Sequence, residues 1–344
     1  MKRVGRRTAA GLTVLVLLCG GSASAVAAET PDGRTPVLSH RESDHGNTTS
    51  RPTTSGRLVA FYQTGTTTGD GTPYLSPAPL AGHADVVEVS AFHLNDPAQY
   101  PILTLNSDSP DAQKYDPMWR DIDAVKARGV KVTALLGGAA PGTYTFLDED
   151  FEKYYPPIRD ALRSHHLDGI DLDVEEHFTE ATAEKLIKRL RTDFPSPEFL
   201  ITLAPVPRNL TDPLGRNLPG LDYRTLEANV GSAIDWYNAQ FYCGNGSLAD
   251  TSGYDRIVQN RFPASKVVAA AITVDTPYCG GYVPMATLQN TLRSLAAKYP
   301  GFAGSAGWEY ALSTDVDAPD CPTGPAGWYC AVRQALPTAS GPTP

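Results

Sequence analysis

Eight runs of apolar, often β-branched residues recur along this chain at intervals of about 35 residues, and that recurrence limits the available folds more than any other feature. The runs are Leu58–Gln63, Val86–Phe92, Val130–Leu136, Gly169–Glu175, Phe199–Val206, Ile234–Tyr242, Lys266–Thr273 and Ala303–Tyr310. Helical patterns separate many of them. Asp116-Pro117 reads as an N-cap followed by a proline at the first helical position, with Gly129 as the stop. Ala181–Phe194 sets Leu186, Ile187 and Leu190 on one face, and Met285–Tyr299 does the same with Leu288, Leu292 and Leu295. Strand–helix units of this length, spread over roughly 280 residues, predict an α/β fold, a (β/α)8 TIM barrel. A doubly wound open sheet would use the same units. No Gly-rich dinucleotide or phosphate loop follows any of the runs, which disfavours it.

The fourth run differs from the others. In Asp168-Gly169-Ile170-Asp171-Leu172-Asp173-Val174-Glu175, acids alternate with aliphatic residues at a period of two. On a strand, Asp171, Asp173 and Glu175 line one face, and Ile170, Leu172 and Val174 the other. Carboxylates crowded on one side of an otherwise apolar strand raise one another's pKa and are costly to keep charged. A fold tolerates that cost where the acids do chemistry. In a barrel, the tip of this strand faces the side where barrel enzymes act, so Glu175 would meet a substrate, with Asp173 beneath it and Asp171 deeper. The rival readings are a solvated acidic strand, which exposed on both sides would not need Ile, Leu and Val opposite the acids, and a calcium loop, whose ligand spacing includes a glycine turn and does not alternate with aliphatics.

The ends of the chain set the compartment. Lys2, Arg3, Arg6 and Arg7, then the apolar run Leu12–Leu18, then Ala23-Ser24-Ala25 and Ala25-Val26-Ala27 have the order of a secretion signal, assigned to residues 1–28. The apolar run is too short to span a membrane. Residues 29–56 are rich in Thr, Ser, Pro, Gly and charge and read as a disordered linker, residues 57–336 as the catalytic barrel, and residues 337–344 as a flexible tail. Loss of the signal takes four of the 29 basic residues and leaves 25 against 38 acidic, a net charge of −13. Such a chain repels nucleic acid and anionic membranes and is compatible with a neutral ligand such as a glycan. Cys243, Cys279, Cys321 and Cys330 remain, an even count that in an exported chain reads as two disulfides. Sequence does not fix their pairing; Cys321–Cys330 with Cys243–Cys279 is preferred. The alternative is a metal site, but the spacings contain no C-x-x-C element.

The octapeptide resembles the D-G-x-D-x-D-x-E signature of glycoside hydrolase family 18, whose members include chitinases and endo-β-N-acetylglucosaminidases on (β/α)8 barrels. The likeness extends over most of Leu58 to Leu336. Ala134-Leu135-Leu136-Gly137-Gly138 lies where the family has S-x-G-G, with Leu135 in place of the serine; Gln240-Phe241-Tyr242 resembles the Q-F-Y of compact members; Trp308 falls where the family places a tryptophan under the reactive sugar. The resemblance implies catalytic roles for Asp171, Asp173, Glu175 and Tyr242 in a substrate-assisted mechanism. Glu175 would protonate the glycosidic oxygen and the 2-acetamido oxygen would attack the anomeric carbon. Asp173 would hold the acetamido N–H, Asp171 would share a proton with Asp173, and Tyr242 would bond the acetamido carbonyl. It implies no cofactor and no metal, and a monomer acting outside the cell on a GlcNAc-containing glycan or glycoprotein.

Substrate contacts are expected of Gly138, of Asn238 and Gln240, which share a strand face with Tyr242, and of Tyr62 and Trp308, aromatics near strand ends. Glu309 points away from its neighbour Trp308 and is left out. His165, His166 and His177 flank the acidic strand without forming a metal-binding pattern and read as surface residues. The span Thr273 to Ala303 holds little more than one helix, so the small domain many family-18 chitinases insert there has no room, and the cleft should be shallow. With the Ile234–Tyr242 run, this resembles a fungal-type endo-β-N-acetylglucosaminidase, with a compact chitinase as the second reading. A lectin that keeps the barrel and loses the acid is a third; the presence of Asp171, Asp173, Glu175 and Tyr242 argues against it.

Overall fold

The computed structural model describes residues 56–63, 74–211, 220–313 and 316–337. The expected signal peptide, the linker except Gly56, and the tail beyond Pro337 lie outside the described residues. Every described residue belongs to one compact unit, Pro52–Pro344.

Among the described residues, nine strands form one sheet: β1 (Arg57–Tyr62), β2 (Val86–Leu94), β3 (Leu103–Leu105), β4 (Lys131–Gly137), β5 (Gly169–Asp173), β6 (Leu200–Leu203), β7 (Trp236–Gln240), β8 (Val267–Ile272) and β9 (Gly304–Trp308). Eight of them run parallel in the cyclic order β1-β2-β4-β5-β6-β7-β8-β9, and β1 closes the ring by pairing with both β2 and β9. This is the (β/α)8 barrel the strand recurrence predicts. The addition is β3, which pairs antiparallel with the end of β2. The helices are α1 (Asp116–Lys126), α2 (Thr143–Glu149), α3 (Phe151–Ser164), α4 (Glu180–Asp193), α5 (Pro207–Thr211), α6 (Tyr223–Val230), α7 (Ser252–Gln259), α8 (Met285–Lys298) and α9 (Pro325–Arg333).

Two apolar layers hold this together. The outer layer lies between strands and helices and includes Leu58, Ala60 and Tyr62 from β1 together with Leu186, Ile187 and Leu190 from α4. The inner layer fills the barrel and includes Val59, Phe61, Leu135, Trp236, Val268, Ala270 and Ala306. Alternation along each strand feeds the two layers in turn. The helix α4 stripe is the expected one, with Thr179 as its cap accepting from the Thr182 N–H. Burying each of its Leu and Ile side chains contributes about 1.5–3 kcal/mol. In α8 the expected Leu288, Leu292 and Leu295 are joined by a buried Thr291.

Two local expectations need correction. Asp116 does not cap α1: it is already helical, Tyr115 holds the cap position, and no side chain accepts there. A preceding 3-10 turn, Gln113–Tyr115, feeds the helix without the extended residue that a side-chain cap needs. Gly129 does adopt the positive φ (87°) of a chain leaving a helix. The acidic strand is shorter than its alternation suggests, ending at Asp173 rather than Glu175. Its last partner is Gly137, and Gly137 and Gly138 both have φ of 94°, which turns β4 away and leaves Val174 without a ladder neighbour.

Disulfides join Cys243 to Cys279 and Cys321 to Cys330. The first ties the loop after β7 to the loop after β8, and Cys243 N donates to Gly280 O (2.7 Å) beside it. Thiol counting on secreted, denatured, unreduced protein is expected to find no free thiol; two or more would contradict this pairing.

No described helix is long and apolar enough to cross a membrane.

Candidate active site

The acids of β5 descend from solvent into the barrel in steps. Asp171 is fully buried, Asp173 is 5% exposed, and Glu175, in the loop just past the strand, is exposed. Register sets Asp171 beside Thr202 of β6 and Leu135 of β4. Thr202 Oγ1 donates to Asp171 Oδ1, and Asn238 Nδ2 donates to the same oxygen at 3.1 Å. Asp173 Oδ1 accepts from Gln240 Nε2 (2.9 Å), whose other hydrogen goes to Ala204 O (2.6 Å). The backbone of Gly138 donates to Asp173 O (2.9 Å), and a Cβ on Gly138 would lie 3.4 Å from Asp173 Oδ2. A glycine there leaves one face of Asp173 uncovered.

Burial is the leading cause of the electrostatics. It pushes the Asp171 carboxyl up to about 7, against the bonds from Thr202 and Asn238 that favour the charged form. Asp173 is pushed well up, first by burial and then by the charges of Glu175 and Asp171. Glu175 is also raised by burial, because it stands in a mouth walled closely by protein although its own surface meets solvent; a hydrogen bond from Gln240 opposes this. Neighbouring carboxylates, the cause expected from sequence, come second to burial at Asp173, and burial alone raises Asp171 and Glu175. Tyr242 is buried and held well above the usual phenol range, by burial and then by Asp173 and Glu175.

The other expected residues divide. Trp308, half-buried at the end of β9, meets Phe61 edge-on with centroids 5.4 Å apart and belongs to the inner layer. Gln240, 6% exposed, donates to Asp173 and Ala204 and so fixes an acid near the mouth. Asn238 is fully buried, two positions deeper on β7, and does not reach the cleft. Tyr62 also lies outside the site. It points outward between strand and helices, and its hydroxyl donates to Leu75 O (2.7 Å), because Val59 and Phe61 are the inward residues of β1. Glu309 caps the 3-10 turn Tyr310–Leu312, accepting from Ala311 N. His177 is exposed as expected, but His165 stacks on Trp119 at 4.0 Å and is not a free surface residue. No group of three metal-ligating side chains occurs among the described residues.

Two acids were missed by the sequence reading. Glu88 sits inside the barrel on β2, fully buried, with Oε1 accepting from Asn238 Nδ2 (3.1 Å). A lone acid within Val86-Val87-Glu88-Val89 was the available signal. Glu176 turns opposite to Glu175 and accepts from Gly142 N and Tyr144 N (both 2.7 Å) and Thr145 Oγ1 (3.1 Å), binding the start of α2 to the acidic loop.

No protein-family model matches this chain. Among curated proteins it is 28% identical over 258 residues to Chitinase 2 of Rhizopus oligosporus and 27% identical over 211 residues to Chitinase 1 of Rhizopus niveus, spanning only 44% and 39% of their lengths. Among solved structures, a fungal endo-β-N-acetylglucosaminidase of glycosyl hydrolase family 18 is 39% identical, with a TM-score of 0.72 over 81% of this chain and 98% of that one. Chitinase ChiC from Aspergillus fumigatus is 40% identical, with a TM-score of 0.69 over 77% of this chain and 95% of that one. A GH18 chitinase from Pseudoalteromonas aurantia is 24% identical and shares the fold, with a TM-score of 0.65 over 82% of this chain and 100% of that one. With about two-fifths of its residues shared over nearly the whole of two such catalytic domains, the chain belongs to glycoside hydrolase family 18 and is a glycoside hydrolase.

Proposed function

We propose that this chain is a secreted, monomeric endo-β-N-acetylglucosaminidase that cuts the GlcNAc-β-1,4-GlcNAc core of N-glycans with retention of configuration, by substrate assistance. The observation that carries the reading is the step in exposure along β5. Glu175 is open to a glycosidic oxygen, while Asp173 is walled in and bonded by Gln240. A proton donor at the surface and a fixed acceptor beneath it suit a substrate that brings its own nucleophile. Secretion is supported by the basic and apolar leader pattern and by two disulfides.

The chemistry follows from those positions. Glu175, whose carboxyl burial raises above the ordinary range, gives its proton to the leaving oxygen. The acetamido carbonyl oxygen bonds to the anomeric carbon as the glycosidic bond breaks, forming an oxazolinium ion. Asp173 accepts from the acetamido N–H and offsets the positive charge, and Tyr242 donates to the acetamido oxygen. Water then attacks the same carbon, the Glu175 carboxylate takes its proton, and the ring opens. Two inversions leave the original configuration.

Chitin cleavage is the second reading, favoured by the 40% identity to ChiC. The connection from β8 to β9 carries only α8, and the absence of an inserted domain there supports the reading of an open cleft that suits a branched glycan. Incubation with a high-mannose glycoprotein and, separately, with chitin oligomers distinguishes the two. Release of a free glycan one GlcNAc short of the intact chain, at a rate exceeding oligomer cleavage, is expected. Oligomer cleavage alone would make the protein a chitinase.

A further inference from the structure

The barrel interior holds three carboxyl groups, on Glu88, Asp171 and Asp173, and all are nearly or wholly buried. No cation among the described residues contributes to the environment of any of the three. Three charges crowded without a cation are prohibitive in a low-dielectric interior. Protons must therefore be held there, and the hydrogen bonds indicate where.

Asn238 orders the group. Trp236 Nε1 is a donor only, and it donates to Asn238 Oδ1 (2.9 Å). That fixes the amide, so Nδ2 must face the acids. It donates to Glu88 Oε1 and Asp171 Oδ1, each at 3.1 Å. Glu88 Oε2 and Asp171 Oδ2 are left buried with no acceptor or donor, as is Thr133 Oγ1, on the residue that pairs with Glu88 across β2 and β4. A protonated carboxyl on Glu88 offers a carbonyl oxygen to Asn238 and an O–H on the other oxygen. A charged one would leave Oε2 as a bare buried anion.

We propose that Glu88 is a positioning residue that keeps its own proton throughout the reaction and, through Asn238, holds Asp171 in place so that the interior's negative charge stays on the Asp171–Asp173 pair. The proposal rests on the substrate-assisted reading above, in which Asp173 must carry charge as the ring closes. The charged and polar groups that act on Glu88 agree with a neutral acid. Asp171 and Asp173 on β5 are acids, Asn238 on β7 donates, and the Tyr242 phenol, raised in part by Glu88, stays protonated. Phe61, the register partner on β1, is apolar. Burial, then Asp171, holds the Glu88 carboxyl well above the usual range.

The test is the pH profile of kcat/KM and kcat on GlcNAc oligomers or glycan, for Glu88→Gln, Glu88→Leu and Glu175→Gln. Glutamine copies the shape and hydrogen bonds of a protonated glutamate. Glu88→Gln is expected to keep kcat within about threefold and the acid limb within about 0.3 pH units of wild type, since neither form titrates across that limb. Glu88→Leu leaves Asn238 without its second acceptor. It should lower kcat about tenfold or more at little change in KM, and should move the acid limb. The wild-type infrared spectrum near neutrality should contain a protonated carboxyl band that Glu88→Gln removes. An acid limb moved down by a unit or more in Glu88→Gln would show a charged Glu88 and overturn the proposal. So would a Glu88→Leu variant with wild-type kcat and profile, even if less stable. Glu175→Gln separates the two readings, because retained activity there would refute the catalytic assignment whatever Glu88 does.

Discussion

Glu175→Gln is expected to fold as the native chain does and to lose ~10²–10⁴-fold or more of kcat, the usual worth of general acid–base help. The side chain is exposed and caps no helix, so the amide replaces the acid with little structural cost. In the proposed mechanism both halves of the reaction use this group, first as acid and then as base, which places the expected loss toward the upper end. The pH dependence has a definite sign. Burial raises the Glu175 carboxyl above the ordinary range, so the donor form persists toward neutrality and is lost as pH rises through that raised value. The rate should fall on the alkaline side, and Glu175→Gln should lack that limb in whatever activity remains. A variant turning over glycan or chitin at near wild-type rate would sink the assignment of the proton donor.

What could be read from sequence, and what could not, follows the physics of each signal. The barrel was legible because the same strand–helix unit recurs, and errors in single strand ends do not disturb a repeat. β3 was not, since Leu103-Thr104-Leu105 is too short to register as a run. The acidic strand was legible because alternation is unambiguous when one face is carboxylate and the other aliphatic. Its length was misjudged because the glycine turn that ends its pairing lies on another strand, at Gly137 and Gly138. Depth was the weakest inference. Asn238 shares the face of Gln240 and Tyr242, yet two residues along a strand is about 6.6 Å, enough to move it from the mouth into the sealed interior. Tyr62 was misplaced by parity: being near a strand end does not say which face a residue takes, and Phe61 took the inner one. Glu88 was passed over because a single acid in an apolar run shows no pattern, and its neighbours Asn238 and Asp171 come from strands 150 and 83 residues away.

Asp173→Asn is expected to separate the step that forms the oxazolinium from the step that consumes it. The variant keeps the shape of the side chain and its seat between Gln240 and Gly138, but it cannot offset positive charge. Hydrolysis of a natural glycan should fall by ~10²-fold or more, the scale seen when a charge-stabilising group is lost from a water-excluded site. Preformed sugar oxazoline enters after that step. Glu175 remains able to deprotonate an incoming hydroxyl, so Asp173→Asn should still transfer oxazoline to a GlcNAc acceptor, and the product should accumulate because the variant hydrolyses it slowly. Glu175→Gln should fail with both donors. The competing mechanism is an enzyme nucleophile, in which Asp173 would form a glycosyl ester as in ordinary retaining enzymes. The geometry opposes it, because Asp173 is 5% exposed with one oxygen already bonded by Gln240, and burial raises its carboxyl well above the usual range. A walled-in carboxyl whose proton affinity burial raises is a poor nucleophile, but it is a sound partner for an N–H once the developing cation favours its charged form. Mass spectrometry of acid-quenched reactions tests this directly: a sugar adduct on Asp173, or an Asp173→Asn variant inert toward oxazoline, would replace substrate assistance with covalent catalysis by the enzyme.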